Sequence, residues 1–193
     1  AMSTCSDCLD ALVVAGSNDP APAGQHYNDT VESVDGTSHW EVGFYDPGEQ
    51  YQEVTDVTAY GDEQFLVVGI GGHMRHRNSG GNWSSDLSYI KDGLASRALT
   101  GAWAGAEAII LSAHKQAGTD ALELWTCSQG ASPQSADSWT QHTLLSDPGG
   151  DDPQLNDVWG LSDGTVVAVG ASRLSEAWLP SRRAVVFVRS PAP

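Results

Sequence analysis

The sequence predicts an all-β protein, and three observations carry that prediction. Charged residues make up only 18% of the chain, while glycine (21 residues) and tryptophan (7 residues) are plentiful, which is typical of turn-rich β proteins. Helical periodicity is almost absent, since the best helical candidate, around Leu94–Leu99, is short and precedes Gly101 and Gly105. Short apolar runs bounded by Gly, Asp, Asn and Ser indicate buried strands instead, at Ala11–Ala15, Phe65–Gly69, Ala108–Leu111, Val166–Gly170 and Ala184–Val188.

These strands repeat along the chain. Two copies keep the same spacing, because Asp56 to Gly69 and Asp157 to Gly170 each span 13 residues (69−56 and 170−157). Less regular copies follow the same order at Gly101–Ser112 and Leu12–Gly16. The period of about fifty residues is typical of propeller blades. The two aspartates stand before the inner strand, where we expect them to close each blade turn.

The repeats predict a small β-propeller, or a propeller fragment, of about four blades, with an irregular β-sandwich as the alternative. We expect a single domain over residues 1–193, with residues 1–8 as an N-terminal segment that opens with a cloning remnant at Ala1-Met2. The last copy ends shortly after Ala184–Val188, without a closing turn and strand. The two ends therefore either pair with each other to close a ring or belong to a larger propeller.

A turn motif follows the apolar strand in three copies. Ser33–Trp40 has the form S-x-D-x-x-x-x-W, His76–Trp83 keeps the Asn, Gly and Trp of the same turn, and Ser128–Trp139 is a longer version. In such a turn an Asp or Asn side chain caps backbone N–H groups, glycine supplies positive φ and tryptophan packs between sheets. The segments resemble the Asp-box, S-x-D-x-G-x-T-W, of BNR-type β-propeller repeat proteins. The resemblance extends over residues 9–190, although the threonine is never present and only Asn78 precedes a glycine at the motif spacing.

Net charge limits the classes of partner. With 25 acidic and 9 basic side chains the chain carries −16, which disfavours nucleic acid because phosphate binding requires a basic patch. The same charge disfavours binding to an anionic membrane surface. The sequence contains no apolar run of about 18 residues, so no transmembrane helix is predicted. We therefore expect a protein or carbohydrate partner, and neither nucleic acid nor membrane. The sequence leaves the oligomeric state open.

The chain contains three cysteines, Cys5, Cys8 and Cys127. A structural zinc site usually takes four Cys or His ligands, and Cys5-x-x-Cys8 has no matching second pair. We expect a structural disulfide that leaves one thiol. The N-terminus resembles that of a secreted protein after processing, although a cytosolic fragment would look the same. We expect a secreted or extracytoplasmic location.

Three loops carry the residues that we expect to bind a ligand or partner. With the blade strands labelled A to D, the B–C connections are long at Ser17–Asp29, Ala113–Asp120 and Ala171–Arg183. The resemblance implies that these loops share the ligand-binding face of a propeller with the blade-to-blade connections. The candidate ligand- or partner-binding residues on them are His26, Tyr27, His114, Trp178 and Arg182. The alternative for each is a solvated loop, and Trp178 could instead plug the ring.

Two clusters are candidates for a metal site. Two histidines, His73 and His76, need further ligands to hold a metal, and strand alternation places them on opposite faces. We expect a charged, exposed strand edge there, which prevents edge-to-edge pairing. The acidic stretch Asp147–Asp152, with Asp157, could hold calcium through its oxygen atoms, but its spacing departs from the known loop and favours a simple turn. We predict no metal and no cofactor, with calcium as the alternative.

Asp-box propellers include sialidases, so catalysis has to be weighed against binding. A sialidase needs arginines clustered on the substrate carboxylate and a tyrosine nucleophile with a carboxylate partner. The arginines here are scattered, and Tyr60, near Asp62 and Glu63, falls in a predicted turn. We predict no catalytic residue and a non-catalytic binding or scaffolding module, with a sialidase-like glycoside hydrolase as the alternative. A sugar site would leave a small concave pocket, and a protein site a broad apolar patch.

Overall fold

The computed structural model describes residues 2–4, 12–18, 27–33, 40–46, 54–84, 96–115, 121–145, 154–161, 163–174 and 181–189. Across these ranges the regular structure is antiparallel β-strand, apart from 3-10 geometry at Ser96 and at Ala136–Ser138, which confirms the all-β class. Every apolar run predicted as a strand lies in a strand, except for Ala11, which is outside the described residues. Leu99, at the end of the best helical candidate, belongs to a strand as well.

The chain divides into two compact units, Ala1–Ala95 and Ser96–Pro193. The first unit contains a four-stranded sheet of order β1-β2-β3-β4 and a three-stranded sheet of order β5-β6-β7. Its strands are β1 (Met2–Thr4), β2 (Leu12–Asn18), β3 (Tyr27–Ser33), β4 (Trp40–Asp46), β5 (Val54–Gly61), β6 (Gln64–Gly69) and β7 (Met74–Arg77). That one domain spans residues 1–193 stays a prediction.

The second unit also contains two sheets, of order β8-β9-β10-β11 and β12-β13-β14. Its strands are β8 (Arg97–Ala104), β9 (Ala108–Lys115), β10 (Leu122–Ser128), β11 (Trp139–Leu145), β12 (Gln154–Gly160), β13 (Val166–Leu174) and β14 (Ser181–Arg189). The 3-10 turn Ala136–Ser138 leads into β11. Consecutive strands pair as antiparallel neighbours in every sheet, which is the arrangement of a propeller blade.

The first strand of three sheets contains a β-bulge at an equivalent position. The register shifts lie between Val54 and Asp56, between Leu99 and Gly101, and between Leu155 and Asp157. A bulge sets two residues against one, so side chains three positions apart can point to the same face. Val54 and Val57 accordingly pack in one core cluster, and Leu155 and Val158 pack in another.

The aspartates at this bulge have a structural role, but not the one predicted. Asp56 and Asp157 lie inside β5 and β12 rather than before them. The Oδ1 atom of each accepts a hydrogen bond from the backbone N–H of the next residue, at 2.8 Å from Val57 and 2.7 Å from Val158. The prediction that they close a blade turn is therefore wrong, because each carboxylate holds the backbone of the bulge itself.

The two sheets of the second unit pack against each other through one apolar core. Its buried members are Ile110, Leu122, Leu124, Leu155, Val158, Val166 and Ala168. Burial of each of the Ile, Leu and Val side chains in this core contributes about 1.5–3 kcal/mol. Gly101 of β8 permits the close approach to β12, since a Cβ there would lie 2.6 Å from Oδ1 of Asp157 and 2.8 Å from the backbone nitrogen of Val158.

The second unit also buries an ion pair. Arg97 donates to both carboxylate oxygens of Glu123, from Nε at 2.8 Å and from Nη2 at 2.9 Å. The side chains of Arg97 and Glu123 are only 13% and 1% exposed, respectively, and the indole of Trp125 donates to Glu123 at 3.0 Å. The buried carboxylate therefore has charged and neutral donors, as a charge in a protein interior requires.

The turn after β7 has the chemistry predicted for the second copy. Oδ1 of Asn78 accepts hydrogen bonds from the backbone N–H groups of Gly80 at 2.9 Å and Asn82 at 3.1 Å. The positive φ, +80°, belongs to Gly81 and not to Gly80, the glycine at the motif spacing, so the Asp-box pattern is matched only in part. Trp83 packs on the core of the first unit, which contains Val54, Val57, Phe65 and Val67. In the third copy, Trp139 is buried and its indole donates to the carbonyl of Pro133 at 2.9 Å. The turn of the first copy, residues 34–39, lies outside the described residues.

The prediction of an exposed strand edge at residues 73–77 is wrong. His73, Arg75 and His76 are buried, because the chain returns alongside β7 after the turn. The backbone N–H of Ser84 donates to the carbonyl of His76 at 2.8 Å, and Arg75 donates to the carbonyl of Ser84 at 3.0 Å. The ring of Tyr60 lies 5.7 Å from that of His76, and burial lowers the pKa of His76.

Cys127 is a free, buried thiol in β10, and burial raises its pKa. Such a thiol is a small apolar side chain rather than a nucleophile or metal ligand. Cys5 and Cys8, with their predicted disulfide, lie outside the described residues. The acidic stretch Asp147–Asp152 lies outside them as well, so calcium binding there stays a prediction.

Candidate functional site

A cleft of about 750 Å³ opens in the second unit. It lies where the β8–β9 and β12–β13 hairpins approach each other, and β10, β11 and β14 complete its walls. Apolar lining comes from Trp103, Ala106, Ala108, Ile110, Leu161 and Val166, and polar lining from Glu107, Thr126, Ser128, Thr140, His142, Asp163 and Arg189. This mixture, in a concave site, is typical of a small-ligand pocket.

Tight turns hold the two hairpins that form the rim. In the first, the backbone N–H of Gly105 donates to the carbonyl of Ala108 at 3.0 Å. In the second, the backbone N–H of Leu161 donates to the carbonyl of Thr165 at 2.8 Å. The backbone N–H of Thr165 in turn donates to Oδ1 of Asp163, also at 2.8 Å. Hydrogen bonds from Thr165 lower the pKa of Asp163, so its exposed carboxyl group is ionised at neutral pH.

Trp103 forms a rigid apolar wall of the cleft. Its six-membered ring occupies the space that a Cβ would need at Gly105 and at Gly160, one residue position on each hairpin. The indole therefore fits only because both positions are glycine. Trp103 is half-buried and packs on the core shared by the two sheets, which fixes its orientation.

The opposite wall offers polar groups at the cross-strand neighbours of β10 and β11. Thr126 pairs with Thr140 in the sheet register, and Oγ1 of Thr126 lies 2.9 Å from Nε2 of His142. Thr140 and His142 are exposed, while Gln141 between them alternates to the other face and does not line the cleft. The wall therefore presents hydroxyl and imidazole groups that can donate and accept hydrogen bonds.

None of the five residues predicted from the sequence is among the described residues that line the cleft. His114 is partly buried in β9, opposite Leu122 and Ala98, at the end of the strand away from the cleft. Tyr27 is the first residue of β3, and Arg182 lies in β14 opposite Arg173. His26 and Trp178 lie outside the described residues. A binding role for these five residues stays a prediction.

The cleft itself was not predicted, although the repeat contained a signal for it. Trp103 and Trp159 follow the bulge of β8 and β12 at the same repeat position, two residues after Gly101 and Asp157. A tryptophan repeated at one strand position marks a surface that one sheet presents to the next. The glycines that make room for it, however, belong to two hairpins far apart in sequence.

The described strands form antiparallel sheets of consecutively paired strands, and the likeness to one solved β-propeller supports a propeller-type fold. The chain is similar to Penicillium chrysogenum alpha-L-arabinanase complexed with arabinobiose, a β-propeller, with 12% identity and a TM-score of 0.52 over 88% of this chain and 58% of that chain. It is also similar to YCF48 bound to D1 peptide, with 12% identity and a TM-score of 0.46 over 91% of this chain and 63% of that chain. The chain thus spans less than two thirds of the structures it matches. No protein-family model and no curated protein matches the sequence.

Two features are absent from the described residues. They contain no group of three or more His, Cys, Asp or Glu side chains that could hold a metal ion. They also contain no helix long and apolar enough to cross a membrane.

Proposed function

We propose that this protein is a non-catalytic binding module whose cleft holds a short carbohydrate. The observation that carries the proposal is the concave shape of the cleft, with one aromatic wall and one polar wall. A sugar ring presents C–H groups on its faces and hydroxyl groups on its rim, which these two walls complement. A location outside the cytoplasm belongs to the same proposal.

The polar groups of the cleft suit hydroxyl ligands. Thr126 and His142 already share a hydrogen bond, so a ligand hydroxyl can join an ordered pair instead of ordering two free side chains. Asp163, ionised and fixed by its turn, and Glu107, on the other hairpin, add acceptors. Fixed groups on short hairpins lower the entropy cost of binding.

The same carboxylate does not supply the acid that the glycoside hydrolase alternative requires. Glycoside hydrolysis needs a carboxylic acid whose pKa is raised, so that it can protonate the leaving oxygen. The pKa of Asp163 is lowered, because its carboxylate accepts hydrogen bonds from Thr165. Asp163 is therefore suited to accept a hydrogen bond from a bound sugar and unsuited to act as the acid.

A thermal-melt and calorimetry screen against oligosaccharides tests the proposal, with arabinobiose among the first ligands because the arabinanase was solved with it. A ligand that binds only the folded state at about 100 times its Kd adds about 2.7 kcal/mol of stability and raises the Tm. We expect His142→Ala to weaken binding about tenfold, through the loss of one or two hydrogen bonds. Gln141→Ala, on the other face of the same strand, should bind as the unmodified protein does.

Two results would contradict the proposal. One is a flat response to every saccharide, which would move the function to a protein partner on the predicted looped face. The other is release of reducing ends from a bound oligosaccharide, which would show that the cleft belongs to a hydrolase. Loss of the Tm shift with EDTA would instead establish the calcium alternative.

A further inference from the structure

One arginine lines the cleft. Arg189 is the last residue of β14, directly opposite Val166 of β13, and both residues contribute to the cleft lining. Strand alternation places Arg189 on the same face as Val185 and Phe187, which pack on the core between the two sheets. The Arg189 side chain is exposed, and no lysine and no other arginine among the described residues lines the cleft. A guanidinium, which keeps its positive charge at any physiological pH, is therefore part of the cleft wall.

Arg189 differs from the other arginines whose side chains the structure describes. Arg75 and Arg77 donate to backbone carbonyl groups at 3.0 Å and 2.9 Å, and Arg97 donates to both oxygens of a buried carboxylate. Within the described ranges the guanidinium of Arg189 has no such acceptor, and it forms no ion pair with either carboxylate that lines the cleft. Its hydrogen-bond donors are therefore available to a ligand.

The guanidinium of Arg189 recognises a particular chemistry. It is planar and presents five N–H donors in a fixed fork, which matches the two oxygens of a carboxylate. Arg189 thus adds a carboxylate subsite to a cleft whose aromatic and polar walls suit a sugar ring and its hydroxyl groups. A uronic acid combines these features, because its carboxylate is attached directly to the sugar ring. The cleft therefore has a complementary group for each part of such a sugar.

The carboxylates of the cleft limit how much negative charge the ligand can carry. Glu107 and Asp163 are exposed and line the same cleft, one on each of the two hairpins. They would repel a ligand with several negative charges on each ring, such as a heavily sulfated sugar, and the chain's formal charge of −16 would add to that repulsion. A single carboxylate in contact with Arg189 is favoured instead, because salt screens the more distant exposed charges over about 8 Å.

We propose that the carbohydrate held by the cleft is acidic: a short oligosaccharide with a uronic acid residue whose carboxylate binds Arg189 through two parallel hydrogen bonds. The inference rests on the proposed function, because it assigns a chemical class to the ligand of the same cleft. Binding of a neutral sugar needs only the aromatic and polar walls, so the two statements can fail separately. Arg189 is the residue that sets the preference for an acidic sugar.

Isothermal titration calorimetry with matched pairs of ligands tests the inference. Each pair consists of a short oligouronate and its methyl ester, made from galacturonic, glucuronic or mannuronic acid, so that the two ligands differ in negative charge on the same sugar ring. We expect at least one acid to bind, and its ester to bind at least about tenfold more weakly, because the ester loses the charge-assisted pair of hydrogen bonds. The preference should decrease as salt rises from about 0.05 to 0.5 M, because salt screens the ion pair.

Substitutions at Arg189 identify the contact. Arg189→Met removes the guanidinium and should bind the acid as weakly as the ester, with the affinity for the ester unchanged. Arg189→Lys keeps the charge but loses the fork, and should retain only part of the preference. Gln141→Glu is the charge-matched control, since it also lowers the net charge by one and lies on the face of β11 away from the cleft, so it should keep the full preference. Far-UV circular dichroism and the Tm without ligand check that all three variants are folded.

Several outcomes would overturn the inference. If neutral sugars or esters bind as tightly as every acid, the cleft is a carbohydrate site without a carboxylate subsite, and the proposed function stands. If a sulfated sugar binds more tightly than any uronate, the preferred anion is a different one. If Arg189→Met keeps the preference for the acid, the carboxylate binds elsewhere. If no saccharide binds, acidic or neutral, the proposed function fails together with this inference.

Discussion

Replacing Gly101 by alanine tests the close packing of β8 on β12. The added Cβ would lie 2.6 Å from Oδ1 of Asp157, 2.8 Å from the backbone nitrogen of Val158 and 2.9 Å from Cα of Asp157. Two of these three atoms belong to the backbone of a paired strand, so they cannot rotate away. The strands must therefore separate, and the hydrogen bond from Val158 to Asp157 at 2.7 Å is strained or lost.

The magnitude follows from opposing contributions. Overpacking a well-packed interior costs about 1–3 kcal/mol, and loss of a hydrogen bond adds about 1 kcal/mol. Alanine also restricts the unfolded chain, which offsets about 0.4–1 kcal/mol. Gly101→Ala should therefore lower the free energy of unfolding by about 1–3 kcal/mol, which corresponds to a urea midpoint lower by about 1 M.

Urea unfolding followed by tryptophan fluorescence and far-UV circular dichroism measures this change. Gly80→Ala is the matched control, because it makes the same substitution in an exposed turn where the nearest side-chain atom would be 3.3 Å away. The control should change the free energy of unfolding by no more than about 0.5 kcal/mol. If Gly101→Ala proved as stable as this control, the close approach of β8 and β12 would be refuted.

Two further predictions concern buried charge. Arg97→Met leaves Glu123 buried without its cation and should cost about 3–5 kcal/mol, while the double variant with Glu123→Leu should recover most of that loss, both measured by urea unfolding. A double variant no more stable than Arg97→Met would contradict the ion-pair account. Burial lowers the pKa of His76 from 6.5, so the unfolded chain binds the proton more strongly. His76 therefore contributes stability above about pH 6.5 that is lost as the pH falls toward its folded pKa, and His76→Gln should flatten the Tm profile between about pH 7 and 5.

The strands were predictable because each is a short apolar run between turn residues. The turn after β7 was predictable too, since Asn78 is one of the few side chains that can cap its own backbone. The bulges were not, because the extra residue is Thr55 in one strand and Asn156 in another, and neither type signals a bulge. A prediction from strict alternation therefore assigns every side chain on one side of the bulge to the wrong face of the sheet.

Burial of His73, Arg75 and His76 could not be predicted for a different reason. Alternation tells which side chains share a face, but not that Ser84 returns to cover the strand. The cleft could not be predicted from the sequence for the same reason, because Gly105 and Gly160 make room for Trp103 only when two hairpins that are distant in sequence meet. Local sequence encodes elements, whereas contacts between elements depend on the three-dimensional arrangement.

The bulge shared by β5, β8 and β12 also constrains how this sequence can change over evolutionary time. Deleting one residue in a hairpin merely shortens a turn, and the repeats already differ in this way. Val54 pairs with Gly69 and Leu155 with Gly170, whereas the equivalent Leu99 pairs with Ala113, which is one residue closer along the chain. Deleting the bulge residue would exchange the inner and outer faces of half a strand. Insertions and deletions among descendants of this repeat should therefore accumulate in the hairpins, while the bulge persists even where its residue type drifts.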